Sequence, residues 1–416
     1  MPVWVRTWVD AVRERTGPWL ILATSVSFLA FFLRILRLED KDIWWDEGWS
    51  VWLARHDLSF IALRTASDEH PPLHYWLLSL WQPLAGESEF ALRFSTVFFA
   101  VLTVALVIRM GATLSHRSVG LLAGLFLAAS RFHVWWSQDI KMYALAIFVS
   151  LLSIYFFALC LRDRRLVLWV AYAVATAAAL YALYLTFFVV VLENVAFLAL
   201  CLLEREQQWR ERLRRWVLVQ CAVLLLVLPW LYLYHVHSII FRRQTESLDL
   251  GLFLRLYATV LPLGISTGVE NYAIPSLGFL IVVVVGFLFT FLRGRRSERV
   301  MALVVGLGLL LLPLGVFILS WVVEAIFHAK VAARYLILMI PLYSLSLGLG
   351  IRVLWQKRPI LGILALLFIL GCLGYTLAGY YAERYRTYHL PAMASYIAAH
   401  SEPDQAVVFY TDRRWP

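Results

Sequence analysis

MALVVGLGLLLLPLGVFILSWVV, residues 301–323, holds no charged side chain. A bilayer core about 30 Å thick is crossed by about 20 mostly apolar residues at a helical rise of about 1.5 Å each. The stretch is long enough, and it is apolar all round rather than on one face, so no side is left for water. Gly278–Phe291, extended on both sides, reads the same way, and such windows recur along the chain. The composition agrees. The 416 residues are 62% hydrophobic, against roughly 45–50% in ordinary soluble domains. The expected fold class is an all-α polytopic membrane protein.

The charges then set the topology. The formal net charge is +10, but the basic residues fall in short clusters between apolar runs, the positive-inside pattern. A nucleic-acid partner is therefore not expected. Arg6, Arg13 and Arg15 precede a first span from Pro18 to Leu36, read as retained rather than as a cleaved signal. Further spans are expected at Phe90–Met110, Val119–Trp136 and Tyr143–Leu161, two within Leu166–Leu203, then Trp216–Tyr234, one ending at Arg293, Val300–Val323, Tyr335–Arg352 and Ile360–Tyr380. With the N-terminus inside, this gives about eleven spans with the basic loops inside and the long acidic loop 39–89 outside. Residues 1–382 form the transmembrane domain on this reading, and 383–416 a short outer tail with a helix at Pro391–His400 and a strand-like run at Ala406–Tyr410. Cys160, Cys201, Cys221 and Cys372 lie in or beside apolar runs, so no disulfide framework is expected.

Four clusters on the outer side carry the chemistry. Asp46-Glu47 sits among Trp44, Trp45, Trp49 and Trp52, a setting that predicts a partly desolvated carboxylate pair suited to general-base work. Next comes Asp68-Glu69-His70-Pro71-Pro72. The proline pair bars a helix through itself and favours one just after it, placing Glu69 and His70 at a helix start that attracts anions. In Ser137-Gln138-Asp139-Ile140-Lys141-Met142-Tyr143, the spacing puts Asp139 and Tyr143 on one helix face, with Lys141 beside them. Last, His328, Lys330, Arg334 and Tyr335 open the tenth span, where outward positive charge opposes the inside rule and marks a functional candidate. Arginine there can grip a lipid phosphate with its planar fork. Each cluster alone also reads blandly, as capping acids, an interfacial aromatic belt or snorkelling bases. Their convergence on one side argues for a site.

In this order and spacing, Asp46-Glu47-Gly48, Glu69-His70-Pro71-Pro72, Gln138-Asp139-Ile140-Lys141 and Ala333-Arg334-Tyr335 resemble bacterial GT-C glycosyltransferases of family 39, relatives of protein O-mannosyltransferases and the lipid A aminoarabinose transferase. The resemblance implies a GT-C bundle, a polyprenyl-phosphate sugar donor, inversion at the anomeric carbon and an extracytoplasmic active site in the cell membrane. The acceptor is a glycan, lipid or protein hydroxyl. Asp46 is then the catalytic base. Glu47 and Asp139 assist it, Asp139 by positioning the acceptor or the first outer loop. Glu69, His70, Lys141, Tyr143, Lys330, Arg334 and Tyr335 bind substrate. A divalent metal is left open, since members differ. The form Gln-Glu-Ala-Arg of many members is Gln138-Asp139-Ile140-Lys141 here, and the tail is short. A transporter or flippase of lipid-linked sugars is the alternative, but it calls for polar residues deep in the spans, and Glu193-Asn194 is the main such pair.

Overall fold

The structure, a computed structural model, describes residues 3–40, 42–68, 70–163, 165–204, 209–237, 249–265, 268–327, 333–382 and 390–402. Among them there are helices and turns and no strands. Among the described residues, nine helices are long and apolar enough to cross a membrane, or ten if a bent pair counts as one. The helices are α1 (Val3–Ile35), α2 (Trp45–Ala54), α3 (Leu58–Ala66), α4 (Leu73–Ala85), α5 (Glu89–Leu114), α6 (Arg117–Ala129) and α7 (Arg131–Ser137). They continue with α8 (Tyr143–Cys160), α9 (Leu166–Ala182), α10 (Phe187–Glu204), α11 (Trp209–His237), α12 (Leu250–Leu263), α13 (Ala273–Arg293), α14 (Arg296–Phe327), α15 (Ile340–Lys357), α16 (Pro359–Tyr381) and α17 (Leu390–His400). Adding α9, just too short for the strict length test, recovers the eleven expected spans. Among the described residues, the all-helical polytopic architecture expected from the sequence holds.

The loop 39–89 between the first two spans holds α2, α3 and α4. Two expectations are corrected. The third span is not one rod: α6 and α7 meet at Ser130 with a 62° bend. Asp139 and Tyr143 do not share a helix, because α7 ends at Ser137 and α8 begins at Tyr143. The helix expected at Pro391–His400 is present as α17, whereas Ala406–Tyr410 lies outside the described residues.

The bend has a physical support. A broken helix leaves carbonyls at its C-terminus without partners. Arg34, fully buried at the end of α1, donates to Leu127 O at 3.2 Å and Ala128 O at 3.2 Å, and its guanidinium also meets His133 Nδ1 at 2.6 Å. A cation at that end also complements the helix dipole. Gln138 continues the staple. Its amide donates to Arg34 O and Leu36 O, while Tyr380 on α16 donates to its side-chain oxygen. Two spans, α1 and α16, thus hold Gln138 at the start of the short segment 138–142.

At the centre α15 packs against α6, α13 and α16, and 89% of its span is buried. Small residues permit these approaches. A Cβ added to Gly348 of α15 would lie 2.8 Å from Val119 O of α6, and one on Gly286 of α13 would lie 2.5 Å from Gly350 N of α15. Packing of this closeness drives helix association where no water can be expelled. The outer ring faces lipid with leucines such as Leu224, Leu225, Leu228 and Leu367, all exposed.

Candidate active site

Asp46 and Glu47 lie in the first turn of α2, where the helix dipole favours acids. Adjacent residues on a helix point about 100° apart, and these two have different fates. Glu47 turns inward and is fully buried. Arg93 of α5 grips it with two bonds, Nε to Oε1 at 3.1 Å and Nη2 to Oε2 at 3.0 Å. Ile140 N donates to the same carboxylate at 3.0 Å, and Trp44 N at 3.4 Å. Arg93 also donates to Leu38 O at 2.9 Å. Glu47 is therefore the knot joining α2, α5 and the 138–142 segment. The sequence gives Glu47 a part in orienting the acceptor, and here its side chain is fully buried.

Asp46 turns outward. Its side chain is 32% exposed, and Oδ2 stands 3.7 Å from Nη1 of Arg334, itself 28% exposed. That separation is an ion pair without a formed hydrogen bond. Arg334 precedes α15 in the turn Ala333–Met339, and its guanidinium lies 5.6 Å from the Tyr335 ring centre. Lys141, nearly fully buried, completes the basic wall. Burial pushes its ammonium below the ordinary value. The charges of Asp46, Asp68 and Asp139 oppose that shift, and Arg334 reinforces it. Tyr143 is buried beside them, edge-on to Trp136 at 4.9 Å.

Asp139 is also enclosed, 1% exposed, with its charge acting on Arg93 and Lys141. Its main-chain oxygen accepts from Lys141 N at 2.7 Å. Its side chain lies in the interior rather than at an open face. His70 is half-buried just before α4, whose start at Leu73 after Pro71-Pro72 agrees with the sequence reading. Glu69, His328 and Lys330 lie outside the described residues.

The tryptophans divide as well. Trp49 donates to Asp68 Oδ2 at 3.2 Å, stacks on Trp52 at 4.9 Å and carries Arg64 over its ring at 5.0 Å. Trp45 points away, 83% exposed, so it shields nothing. Two residues were missed from the sequence. Arg93 stands one helical turn after Glu89 near the start of an apolar span, and an intramembrane charge is a signal in its own right. His74, buried on α4, is held at about 3, chiefly by burial and then by the Lys141 charge. Burial thus disfavours its charged form.

A second feature is apolar. An apolar cavity of about 980 Å³ lies among α12, α13, α14 and α15, walled by Leu254, Leu280, Val284, Phe287 and Leu307 and reaching Tyr343 and Ser346. These last two sit on the helix that follows the Arg334 turn, and α12 packs against that turn. Among the described residues, no group of three or more His, Cys, Asp or Glu is placed to hold a metal ion.

Residues 69–233 match the family model described as dolichyl-phosphate-mannose-protein mannosyltransferase. No curated protein matches the chain by sequence. Among solved structures, ArnT from Cupriavidus metallidurans in the apo state is similar at a TM-score of 0.59 and 15% identity, over 86% of this chain and 64% of ArnT. The same ArnT bound to undecaprenyl phosphate gives 0.58 and 16%, with the same coverage of 86% and 64%. The archaeal oligosaccharyltransferase AglB from Archaeoglobus fulgidus, with an inhibitory peptide and a dolichol-phosphate, gives 0.62 and 11%, over 94% of this chain and 59% of that one. The chain thus spans a little under two thirds of the length of these proteins. Residues 69–233 thus resemble the protein mannosyltransferases, and the helical architecture resembles that of ArnT and AglB.

Proposed function

We propose that the protein transfers a sugar from a polyprenyl phosphate to an acceptor hydroxyl, with inversion at the anomeric carbon. The observation that carries this reading is the outward-facing pair, Asp46 Oδ2 and Arg334 Nη1 at 3.7 Å, both about one third exposed. A base and a cation side by side at an open face suit a reaction that takes a proton and releases an anion. The acceptor O–H gives its proton to Asp46 as its oxygen bonds to the anomeric carbon. The bond from that carbon to the phosphate oxygen breaks, and the polyprenyl phosphate leaves with the electron pair. Arg334 and Lys141 stabilise the charge it gains, a preorganised electrostatic contribution of the kind that often dominates catalysis. The isoprenoid tail lies in the apolar cavity beside α15. Undecaprenyl phosphate in ArnT and dolichol-phosphate in AglB support a lipid-linked donor. The acceptor is a glycan, lipid or protein hydroxyl, and the site faces the extracytoplasmic side of the cell membrane, as the basic loops at the other end argue.

Purified protein incubated with polyprenyl-phosphate sugars and candidate acceptors, with product detected by mass, tests the reading. Transfer by the wild type and none by Asp46→Asn is the expected result. Export of the intact lipid-linked sugar without cleavage would instead establish the flippase.

A further inference from the structure

The last turn of α16 carries two tyrosines, Tyr380 and Tyr381, that meet the end of α1. A helix C-terminus leaves its final carbonyls without partners inside the helix. Here α1 and the turn after it present Leu33 O, Arg34 O and Leu36 O to this corner. Tyr381 donates to Leu33 O, and the Arg37 guanidinium donates to Tyr381 O. The buried Gln138 takes the other two: its Nε2 donates to Arg34 O at 2.9 Å and to Leu36 O at 3.1 Å. A glutamine amide has two N–H hydrogens and one oxygen. Both hydrogens are committed, so the amide cannot turn over without losing both bonds. Its Oε1 is thereby held toward Tyr380, whose hydroxyl donates to it.

Gln138 opens the segment that carries Lys141, and two further bonds pin that segment. Thr96 of α5 donates to Ser137 O at 2.9 Å, and Ile140 N donates to Glu47 at 3.0 Å. Lys141 follows directly, its own N–H bonded to Asp139 O at 2.7 Å. Its ammonium feels the charges of Asp46 and Arg334. Where that ammonium stands against the open pair is therefore set by the backbone from 137 to 140, and part of the setting comes from α16, 242 positions further along the chain. Tyr380 is half-buried, its ring 5.4 Å from that of Trp135 on α7, and the charges of Asp139 and Arg93 act on it.

We propose that Tyr380 is a positioning residue for glycosyl transfer: acting through Gln138, it holds Lys141 where the leaving phosphate gains its charge. The inference rests on the transfer reading above, in which Lys141 stabilises that phosphate. Tyr380 acts through the segment and not on the substrates. Tyr381 is the internal control. It makes the same kind of bond from the same helix end, but to α1 and not to the segment.

The test uses the full chain in detergent, with kcat and KM for transfer from a polyprenyl-phosphate sugar and amide hydrogen exchange over 137–142 read on the same folded samples. Tyr380→Phe removes one hydroxyl. It should lower kcat about tenfold, within the hundredfold that a misplacement of about 1 Å can cost. The acceptor KM should stay put, and exchange over 137–142 should quicken. Tyr381→Phe should keep kcat within about twofold of the wild type. Gln138→Leu should also lower kcat, and adding Tyr380→Phe to it should cost no more than about twofold further, because the two act along one path. Should Gln138→Leu not fold, the two tyrosine variants and their exchange decide. Full kcat in Tyr380→Phe, equal losses in Tyr380→Phe and Tyr381→Phe, or unchanged exchange over 137–142 overturns the proposal. A wild type that transfers no sugar overturns the transfer reading and this role with it. Exchange that still quickens in Tyr380→Phe alone would mark that failure as one of the reading and not of the clasp.

Discussion

Two acid–arginine pairs, built from neighbouring residues of α2, do opposite things. Glu47 and Arg93 meet at 3.0 Å with neither side chain exposed, and two backbone N–H groups and a carbonyl complete the cluster. Asp46 and Arg334 stand 3.7 Å apart, both partly open. The closed pair is costly to desolvate and must be fully bonded to persist. Such a pair is suited to fixing geometry and unsuited to a reaction that changes its charge. The open pair has slack, and slack is what a proton acceptor and an anion-stabilising cation require. The helix periodicity separates these roles at adjacent positions.

The largest way to break this comparison is at Asp46. Asp46→Asn keeps the size and the hydrogen-bonding atoms but removes the proton acceptor. Transfer should fall by about 10²–10⁴-fold, the usual worth of general-base catalysis. The unfolding midpoint in detergent should barely move. Near-normal turnover would show that Asp46 is not the base, and loss of turnover with loss of fold would make it structural.

Arg93→Ala should do the reverse. It leaves Glu47 charged and buried without its partner, at a cost of about 3–5 kcal/mol. The midpoint should drop, and activity should follow the folded fraction. Replacing both, Glu47→Met with Arg93→Met, should recover much of the stability, because the uncompensated charge is gone. Recovered stability without recovered activity would show that the pair also aims Asp46. An unchanged midpoint in Arg93→Ala would refute the knot.

The fold was largely legible in the sequence, and for a single reason. Lipid demands long apolar helices, and runs such as 301–323 admit no other reading. The bend at Ser130 was hidden, since it depends on Arg34 reaching carbonyls some ninety residues away. The site was legible as a set of motifs. Asp46, Lys141, Tyr143 and Arg334 do converge. Which acid faces outward was not legible, because that depends on the rotation of α2 about its axis and on Arg93 across the interface. The sequence treats Asp46-Glu47 as one partly desolvated carboxylate pair, and the helix divides them. Gln138 shows the same limit: its neighbours suggested chemistry, while its side chain staples α1 and α16.

A smaller effect sharpens the open half. Arg334→Ala should lower turnover by about 10²–10³-fold at limiting donor, as loss of one preorganised donor does. Arg334→Lys should recover part of it, keeping the charge and losing the fork. Both variants should keep the wild-type unfolding midpoint, since the 3.7 Å pair is partly solvated and contributes little. Wild-type activity of Arg334→Ala at limiting donor would remove this residue from the donor site.

The smallest effect belongs to His74, which lies outside both pairs but under the segment they share. It is 4% exposed, a ring nitrogen bonds the Ile140 main chain, and its pKa is lowered from 6.5 to about 3. In the unfolded chain the imidazole binds a proton below about 6.5. In the folded chain it does so only below about 3. Between these values the unfolded state holds more protons, so stability falls as the pH falls. The slope from this one group is at most about 1.4 kcal/mol per pH unit. Above 6.5 both states are neutral and the group contributes no pH dependence. His74→Gln stays neutral throughout and can keep a hydrogen bond to Ile140. The unfolding midpoint of the wild type should therefore drop more steeply than that of His74→Gln between pH 6.5 and 4, with the curves parallel above 7. Burial is the larger cause of the shift and Lys141 the lesser, so Lys141→Met should soften the wild-type slope only partly. Parallel curves for the wild type and His74→Gln across the acid range would show that His74 is not the buried neutral group its surroundings require.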